Sequence, residues 1–401
     1  MLELSVLKVG DGLCVVGNCH YRLFVFDCGG SRSWQRLRDH AAPRGRIATI
    51  AVSHLHQDHY AGLMKPLSSL RSDLNLILGR LPTINRDAAL TQAFTMRLMT
   101  ISSPRSGPRD FDLIDSLRQS VPNLKTRWVH RDCTFRTACQ TWTVKWPPPE
   151  IFLGQTHLGA LQGAINAYDA AADEIPWLKN RLSRIRDNQV FASWEADSQT
   201  LESDSRDLGE FFLDADVEEA EVDNAAGDNA DVDDEAQHNA ETSNNDEARA
   251  DYLTPRQRGL LSEASKKMGR AANDMSLVLV SDNDVLLTGD ATKQVTELAL
   301  GSASHSFSVV VTPHHGGKTY VPDAVTNGSL TSRYWATSVG TRLSDHVASI
   351  YDNRTGPHYR TDRCCCKTST CNLSFVMNHP GVHSNAIAVP YYSSCSPLLH
   401  Q

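Results

Sequence analysis

The chain has 401 residues, a hydrophobic content of 40% and a formal net charge of −8 at pH 7. This length and apolar content exclude an intrinsically disordered chain and allow one large domain or two medium domains with a proper core. There is no run of about eighteen apolar residues, and the N-terminus lacks the basic and apolar regions of a signal peptide. Ten cysteines in so long a chain do not describe a disulfide scaffold, so we expect a soluble cytoplasmic protein in a reducing compartment.

Strand-like segments open the chain. ELSVLKVGDGLCVVG (residues 3–17) and YRLFVFDCGG (residues 21–30) predict an antiparallel pair of strands with glycines at their ends. GRIATIAVSH (residues 45–54) predicts a buried strand that stops where polar residues begin.

Three histidines and an aspartate follow this buried strand in SHLHQDHYAGL, residues 53–63. On an extended turn, side chains two positions apart point the same way, so His54 and His56 can reach one ion while Asp58 and His59 turn toward a second. A single histidine is more often a hydrogen-bonded polar residue than a ligand. Four potential ligands within six positions, directly after an apolar strand, nevertheless indicate metal binding.

The middle of the chain contains a helical segment and an acidic insertion. Residues 150–196 have helical periodicity and are expected to cover one face of the fold. Residues 207–247 carry 16 Asp and Glu, no Lys or Arg, and few large apolar side chains, which predicts a disordered insertion within a single domain of residues 1–401. It is either a solvated linker or a regulatory acidic arm that mimics nucleic acid. Because its removal changes the formal charge from −8 to +8, the folded body would attract a polyanion.

Two further apolar strands also end at potential ligands. MSLVLVSDNDVLLTGDAT (residues 275–292) predicts a hairpin with DND at its turn, and the following TKQVTELAL predicts a short helix. SFSVVVTPHHGG (residues 306–317) predicts another buried strand, followed by His314 and His315. Asp290 ends the hairpin, where a carboxylate could bridge two ions through its two oxygens and could also cap the helix.

These segments, in this order, resemble the metallo-β-lactamase superfamily, and the finer resemblance is to the soluble hydrolase domain of the competence protein ComEC. The motifs that carry it are LKVGDGLCVV, FVFDCGG, SHLHQDHYAGL, NDMSLVLVSDNDVLLTGD, TPHHGGKT, TSVGTRLSDHVAS and HYRTD. They cover nearly the whole chain except about residues 65–140 and the acidic insertion.

The resemblance implies an α/β fold, a four-layer αβ/βα sandwich with metal ions at the sheet edge where the loops converge. It implies two Zn²⁺ ions, or Mn²⁺ in their place, and hydrolysis by a metal-activated water. The implied ligands are His54, His56, Asp58, His59, Asp290 and one of His314 and His315. Asp58 would also orient the nucleophile, and His346 would contact the substrate or protonate the leaving group. Lys318 and Arg342 are candidate contacts to a phosphate.

The sequence departs from the family at the third histidine of the first metal site. The strand end WTVKWPPP carries Lys145 and Trp146 where that ligand is expected, and His130 in RWVHRDC is a weak substitute. The divergent C-terminus forms either a structural zinc site or a cysteine-rich strand and turn. Its cysteines are Cys364, Cys365, Cys366 and Cys371.

Three functions of different classes remain open. The leading one is a phosphodiesterase or nuclease with a nucleic acid or nucleotide substrate and no membrane partner. The second is a hydrolase of a small ester, thioester or lactam, which a narrow apolar pocket lined from residues 65–140 would favour. The third is a non-catalytic, metal-stabilised interaction module whose acidic insertion engages a basic partner.

Overall fold

The structure is a computed structural model that describes residues 2–30, 33–64, 74–80, 117, 121, 123–137, 139–149, 154–179, 182, 253–363, 372–377 and 389–392. The acidic insertion predicted at residues 207–247 lies outside these ranges, as do the four C-terminal cysteines and most of residues 65–140.

Fifteen strands occur in the described residues, and they belong to two sheets. The strands are β1 (Leu2–Val6), β2 (Val15–Cys19), β3 (Arg22–Phe26), β4 (Arg46–Val52), β5 (Asn75–Gly79), β6 (Lys125–Val129), β7 (Thr134–Thr137), β8 (Gln140–Trp146), β9 (Val278–Ser281), β10 (Val285–Leu287), β11 (His305–Val311), β12 (Leu330–Thr337), β13 (His358–Arg360), β14 (Leu373–Met377) and β15 (Val389–Tyr392). The α-helices are α1 (Ser33–Ala41), α2 (Gln57–Tyr60), α3 (Gly154–Glu174), α4 (Pro255–Asp274), α5 (Lys293–Leu300) and α6 (Asp323–Asn327).

Both sheets are mixed. The first has eight strands in the order β15-β14-β1-β2-β3-β4-β5-β6, of which β3 to β6 are parallel to one another. The second has seven strands in the order β13-β12-β11-β10-β9-β8-β7, of which β10 to β13 are parallel. The predicted hairpin after residue 275 is present as the antiparallel pair β9 and β10.

Three apolar layers hold the sheets and helices together. Between the sheets, Phe24 of β3 packs on the fully buried Trp142 of β8, with ring centroids 4.9 Å apart. Helices α1, α3 and α4 pack on the outer face of the first sheet, where Tyr168 and Met268 are fully buried. Helices α5 and α6 pack on the second sheet around Trp335. The order of layers is therefore helix, sheet, sheet, helix, which confirms the predicted four-layer αβ/βα sandwich.

Local sequence signals explain where the helices begin. Thr254 caps α4 by accepting a hydrogen bond from the Gln257 N–H, and the Gln257 side chain accepts one from the Thr254 N–H in return. Pro255 takes the first helical position, where its missing N–H costs nothing. Helix α3 lies within the helical segment predicted at residues 150–196. Among the described residues, no helix has both the length and the apolar character needed to cross a membrane.

A disulfide joins the two sheets at the edge where the parallel strands begin. Cys19 ends β2, Cys139 immediately precedes β8, and their Cα atoms are 6.0 Å apart. The dispersed cysteines offered no sign of this pairing in the sequence.

Candidate metal centre

Polar loops meet at the opposite edge of the sandwich, where the parallel strands end. In the first sheet, β3 is followed by Asp27 and β4 by the SHLHQDH turn. In the second sheet, β10 is followed by Asp290, and β11 by His314 and His315. Because the carboxyl ends of parallel strands share one edge, these residues come together across the two sheets.

Backbone hydrogen bonds fix these loops against one another. The Leu277 N–H donates to the Ser53 carbonyl at 2.8 Å, which ties the second sheet to the turn after β4. The His314 N–H donates to the Gly289 carbonyl at 3.0 Å, which ties the loop after β11 to the loop after β10. The ligand-bearing loops are therefore held by the main chain as well as by their side chains.

Six of the expected ligands form two adjacent clusters. The first cluster is His54, His56 and Asp290, and the second cluster is Asp58, His59 and His315. Within each cluster the potential ligand atoms lie within 4.8 Å of one another. Asp290 also reaches the second cluster, because its Oδ1 lies 3.3 Å from His59 Nε2 and 3.8 Å from His315 Nε2. One carboxylate thus lies between the two clusters.

Three potential ligand atoms in the clusters are buried and have no hydrogen-bond partner among the described residues: His59 Nε2, Asp290 Oδ1 and His315 Nε2. An unpaired polar group in a protein interior costs about 1–3 kcal/mol. A cation among them would satisfy all three atoms at once. Imidazole nitrogens and carboxylate oxygens suit Zn²⁺ and also Mn²⁺. The residues therefore fit a metal site, and the clusters could bind metal ions.

The histidines of the second cluster are held from behind by strong acceptors. His59 Nδ1 lies 2.8 Å from the Asp27 carboxylate, and His315 Nδ1 lies 2.8 Å from the Ser338 carbonyl. An acceptor at Nδ1 holds a proton on that nitrogen, so Nε2 is the nitrogen that faces the centre and can bind an ion once it has released its own proton. Asp27 is itself fixed by the N–H and the hydroxyl of Ser53, each at 2.7 Å.

The first cluster is held by weaker groups. His54 Nδ1 lies 3.0 Å from the Ser53 hydroxyl and 3.2 Å from the Ser276 hydroxyl. His54 Nε2 lies 2.8 Å from His56 Nδ1. Helix α4 passes next to His56, and a Cβ at Gly269 would lie 3.5 Å from its Nε2.

His314 lies beside the first cluster. Its Nδ1 is 2.8 Å from Asp290 Oδ2, and its ring stacks on Tyr320 with centroids 3.7 Å apart. His314 and His315 both have positive φ, at 47° and 55°. The left-handed conformation costs about 1–2 kcal/mol for each L-residue. This strained turn brings two adjacent imidazoles to one carboxylate, and such strain concentrates at functional sites.

Opposite charges control the protonation of the centre. Burial alone would lower the pKa of His59, but the carboxylates of Asp290, Asp27 and Asp58 raise it well above its ordinary value. Burial would raise the pKa of Asp58, but the neighbouring imidazoles of His59 and His315 lower it to about 2. The pKa of Asp290 lies well below its ordinary value, since the charges of His59 and its neighbouring histidines outweigh burial. Asp58 and Asp290 are therefore ionised at neutral pH, the state in which carboxylates bind cations.

His346 lies outside both clusters. It is exposed at the end of the turn Ser344–His346, next to Val347, which pairs with Gly317 of the loop after β11. Of the two candidate phosphate contacts, Arg342 pairs with Asp11 at 2.9 Å, whereas Lys318 is exposed directly after the HHGG turn.

The HYRTD motif supports the loop that carries His346. Arg360 is 5% exposed and donates to the Ser344 carbonyl and hydroxyl, both at 2.8 Å. It also pairs with Asp362 at 2.6 Å. This motif therefore has a structural role in fixing the loop.

Two suggestions from the sequence are wrong. Helix α5 is capped by Thr292, whose hydroxyl accepts from the Val295 N–H, and not by Asp290. Asp290 instead faces the histidines. His130 bonds the Arg131 carbonyl through Nδ1 at 2.9 Å and, among the described residues, joins neither cluster.

Sequence reasoning missed the residues that surround the ligands. They are Asp27, Ser53, Asn273, Ser276 and Tyr320. Asp27 has the same sequence signal as the predicted ligands, because it is a polar residue that directly follows an apolar strand, in FVFDCGG. Serine, asparagine and tyrosine follow strands and helices too often for a sequence pattern to single them out.

No protein-family model and no curated protein sequence matches the chain. Solved structures match over part of it. The metallo-β-lactamase fold protein YhfI from Bacillus subtilis shares 14% identity over 36% of this chain and 52% of that one, with a TM-score of 0.23. A metallo-β-lactamase from Staphylococcus aureus subsp. aureus COL shares 14% sequence identity over 36% of this chain and 33% of that one, with a TM-score of 0.21. MEM-A1, a subclass B3 metallo-β-lactamase from a soil metagenome library, shares 15% sequence identity over 35% of this chain and 48% of that one, with a TM-score of 0.24.

The chain spans about half the length of YhfI and MEM-A1 and 33% of the staphylococcal protein. The fold is assigned from the chain itself: from its sheet order, its apolar layers and the edge where its loops meet. The chain is a four-layer αβ/βα sandwich, with two largely buried clusters of histidine and aspartate that could bind metal ions.

Proposed function

We propose that this protein is a metal-dependent hydrolase of phosphodiester bonds, a nuclease or nucleotide phosphodiesterase. The observation that carries the proposal is the place of Asp290 between the clusters, with the unpaired Nε2 atoms of His59 and His315 on its Oδ1 side. A pair of Zn²⁺ or Mn²⁺ ions held there would supply hydroxide at neutral pH and neutralise charge that develops on the attacked phosphate.

The loop after β11 supplies one imidazole to each cluster in this proposal. His315 belongs to the second cluster. We assign His314 to the first cluster because its Nδ1 lies 2.8 Å from the second oxygen of Asp290. His314 then takes the place of the histidine that the strand end at Trp146 does not provide.

The remaining residues would position the reactants. The side chain of Asp58 is 48% exposed, and its low pKa keeps it ionised, so it can accept a hydrogen bond from the attacking water and orient it. His346 presents an exposed imidazole next to the loop after β11, where it can protonate a leaving oxygen.

Charge supports a polyanionic substrate over a neutral one. The chain outside residues 207–247 has a formal net charge of +8, which raises the local concentration of nucleic acid or nucleotide. Lys318 is exposed immediately after the HHGG turn and is available to a phosphate.

The test is a metal assay by mass spectrometry coupled to hydrolysis of bis-p-nitrophenyl phosphate and of p-nitrophenyl acetate by the full chain. We expect about two ions per chain and a phosphodiesterase activity that is lost on chelation and restored by metal. Metal-dependent cleavage of the acetate alone would favour the small-ester hydrolase. Bound metal without hydrolysis of either compound would favour the interaction module, and a chain that binds no metal would overturn the proposal.

His346→Ala tests the proposed division of labour. The variant should keep both ions, because His346 lies outside the clusters, and lose about 10²- to 10⁴-fold in kcat, the usual scale for general acid or base catalysis. Thr341→Ala is the matched control on the same loop, since Thr341 is exposed and has no proposed role, and it should change the rate little. Loss of metal from the His346 variant would make His346 a ligand instead.

A further inference from the structure

Two hairpin turns, one from each sheet, face each other at the edge remote from the metal centre. Cys19 and His20 lie at the turn between β2 and β3, and Cys139 lies at the turn between β7 and β8. The two cysteines form a disulfide. One potential ligand atom from each of Cys19, His20 and Cys139 lies within 4.8 Å of the other two. Three potential donors from two hairpins therefore converge on one point.

A cavity of about 290 Å³ adjoins these residues, lined in part by Cys19, His20 and Gln140. Gln140 is only 2% exposed, and neither its Oε1 nor its Nε2 has a hydrogen-bond partner among the described residues. A buried amide left unpaired costs about 1–3 kcal/mol, so this side chain lacks a partner that a ligand or a thiolate would provide. Arg22 and Arg136 line the same cavity, and their positive charge favours the thiolate form of a nearby cysteine.

We propose that reduction of the Cys19–Cys139 disulfide creates a second metal site, for a soft divalent cation of the Zn²⁺ class. The two thiolates and the imidazole of His20 are its ligands, and the Gln140 amide donates to a thiolate sulfur. Sulfur and imidazole donors select Zn²⁺ among the common divalent cations. This site is independent of the proposed hydrolase function, because it shares no residue with either cluster.

The redox state of the pair decides whether the site exists. A dithiol reductant gives two electrons and two protons to the S–S bond, which breaks into two thiols while the reductant becomes a disulfide. Binding of the cation releases those two protons to solvent and forms two metal–sulfur bonds. Cys139 is partly exposed, which gives the reductant access.

Cobalt distinguishes this site from the metal centre. Thiolate bound to Co²⁺ gives a charge-transfer band in the near ultraviolet, and the histidine and aspartate clusters have no sulfur ligand. The full chain is reduced with a dithiol, freed of reductant without air, titrated with Co²⁺ and assayed for free thiols. We expect the thiolate band and one additional equivalent of Co²⁺ in the reduced protein, and neither in the oxidised protein.

Variants locate the ligands. Cys19→Ser and Cys139→Ser should each abolish the band, while Cys133→Ser, a control at a free and partly buried cysteine, should retain it. His20→Ala changes an exposed side chain and should weaken Co²⁺ binding by at least about tenfold.

Three results would each overturn the proposal. The first is a reduced protein with both thiols titratable and no band. The second is a band that survives in both cysteine variants, which would place the sulfur ligands elsewhere. The third is a disulfide that resists reduction in the folded chain, since the site could then never form.

Discussion

The two clusters of the metal centre differ in what supports their histidines. In the second cluster, His59 is backed by the carboxylate of Asp27, and His315 by the Ser338 carbonyl. In the first cluster, His54 is backed only by serine hydroxyls. Hydrogen bonds to a charged group are roughly twice as strong as bonds between neutral groups. The second cluster is therefore the better organised of the two before any ion binds.

The most exposed histidine also belongs to the first cluster. The side chains of His59 and His315 are 0% and 5% exposed, whereas His314, assigned to the first cluster, is 30% exposed; the exposed ligand of the second cluster is the carboxylate Asp58, at 48%. Rigid, buried histidines lose less entropy when they bind an ion. We expect the second cluster to bind its ion more tightly, and the first cluster to be the one that exchanges metal and faces the substrate.

The largest effect is expected at the residue that the clusters share. Asp290→Ala removes both carboxylate oxygens that approach the histidines, so both ions and essentially all hydrolysis should be lost, a greater loss than the ~10- to 100-fold of a change behind a ligand. Metal content by mass spectrometry and turnover are measured on the same sample. An Asp290 variant with unchanged turnover would exclude a two-metal hydrolase, and the interaction module would then be the leading function.

The assignment of His314 and His315 to different ions is tested by pairs of substitutions. His314→Ala and His315→Ala should each lose about one ion per chain. Adding His54→Ala to the His314 variant should cost no second ion, because both residues serve the first cluster. Adding His59→Ala to the His314 variant should empty both clusters. If that double variant still binds one ion, His314 and His59 serve the same ion and the assignment is wrong.

Much of this arrangement was predictable because the parallel strands that carry it end at one edge. The apolar strands before His54, Asp290 and His314 end at ligand-type residues, and the structure brings these residues together. The four-layer fold followed from the same strands and from the motif order. The roles of these residues as metal ligands stay predictions.

The supports behind the ligands were not predictable in the same way. Ser276 reaches His54 from 222 residues away in the chain, and Ser338 reaches His315 through a backbone carbonyl, which no side-chain pattern can reveal. The left-handed turn at His314 was also hidden, because histidine carries no signature of positive φ as glycine does. Tertiary packing, not local propensity, decides these features.

Substitutions of the residues that hydrogen-bond to the ligand histidines should have an intermediate effect, on metal affinity. Asp27→Asn keeps the size of the side chain but replaces the charged acceptor behind His59, and should weaken the tighter ion by about 10- to 100-fold. Ser276→Ala removes one of two hydroxyls behind His54 and should weaken the other ion by less. Competition with a chromophoric chelator measures both affinities. Equal losses in the two variants would mean that the clusters are supported equally well, contrary to the comparison.

A buried relay lies further from the ions, behind the loop that carries His314 and His315. Thr312 Oγ1 is 2.7 Å from Thr337 Oγ1, which is 2.7 Å from His358 Nε2. His358 Nδ1 donates to the Asp352 carboxylate at 2.8 Å, so Nε2 accepts from the Thr337 hydroxyl. Burial lowers the pKa of His358 despite the opposing effect of Asp352. The relay thus connects the base of the loop to a histidine that folding keeps neutral.

Thr337→Val should therefore have the smallest effect on the ions and a measurable effect on stability. It leaves His358 Nε2 and the Thr312 hydroxyl without their partner, which should cost about 1–3 kcal/mol of unfolding free energy, while metal affinity falls only a few-fold. The stability should also depend on pH through His358. As the pH falls below about 6.5, His358 becomes protonated in the unfolded chain but not yet in the folded chain, because its pKa is lower in the folded chain. The free energy of unfolding therefore decreases. His358→Gln lacks this titration, and its urea midpoint should fall less than that of the wild type between about pH 7 and about pH 5. A Thr337 variant that loses as much metal affinity as Asp27→Asn would show that the relay, and not the carboxylate behind His59, sets the geometry of the centre.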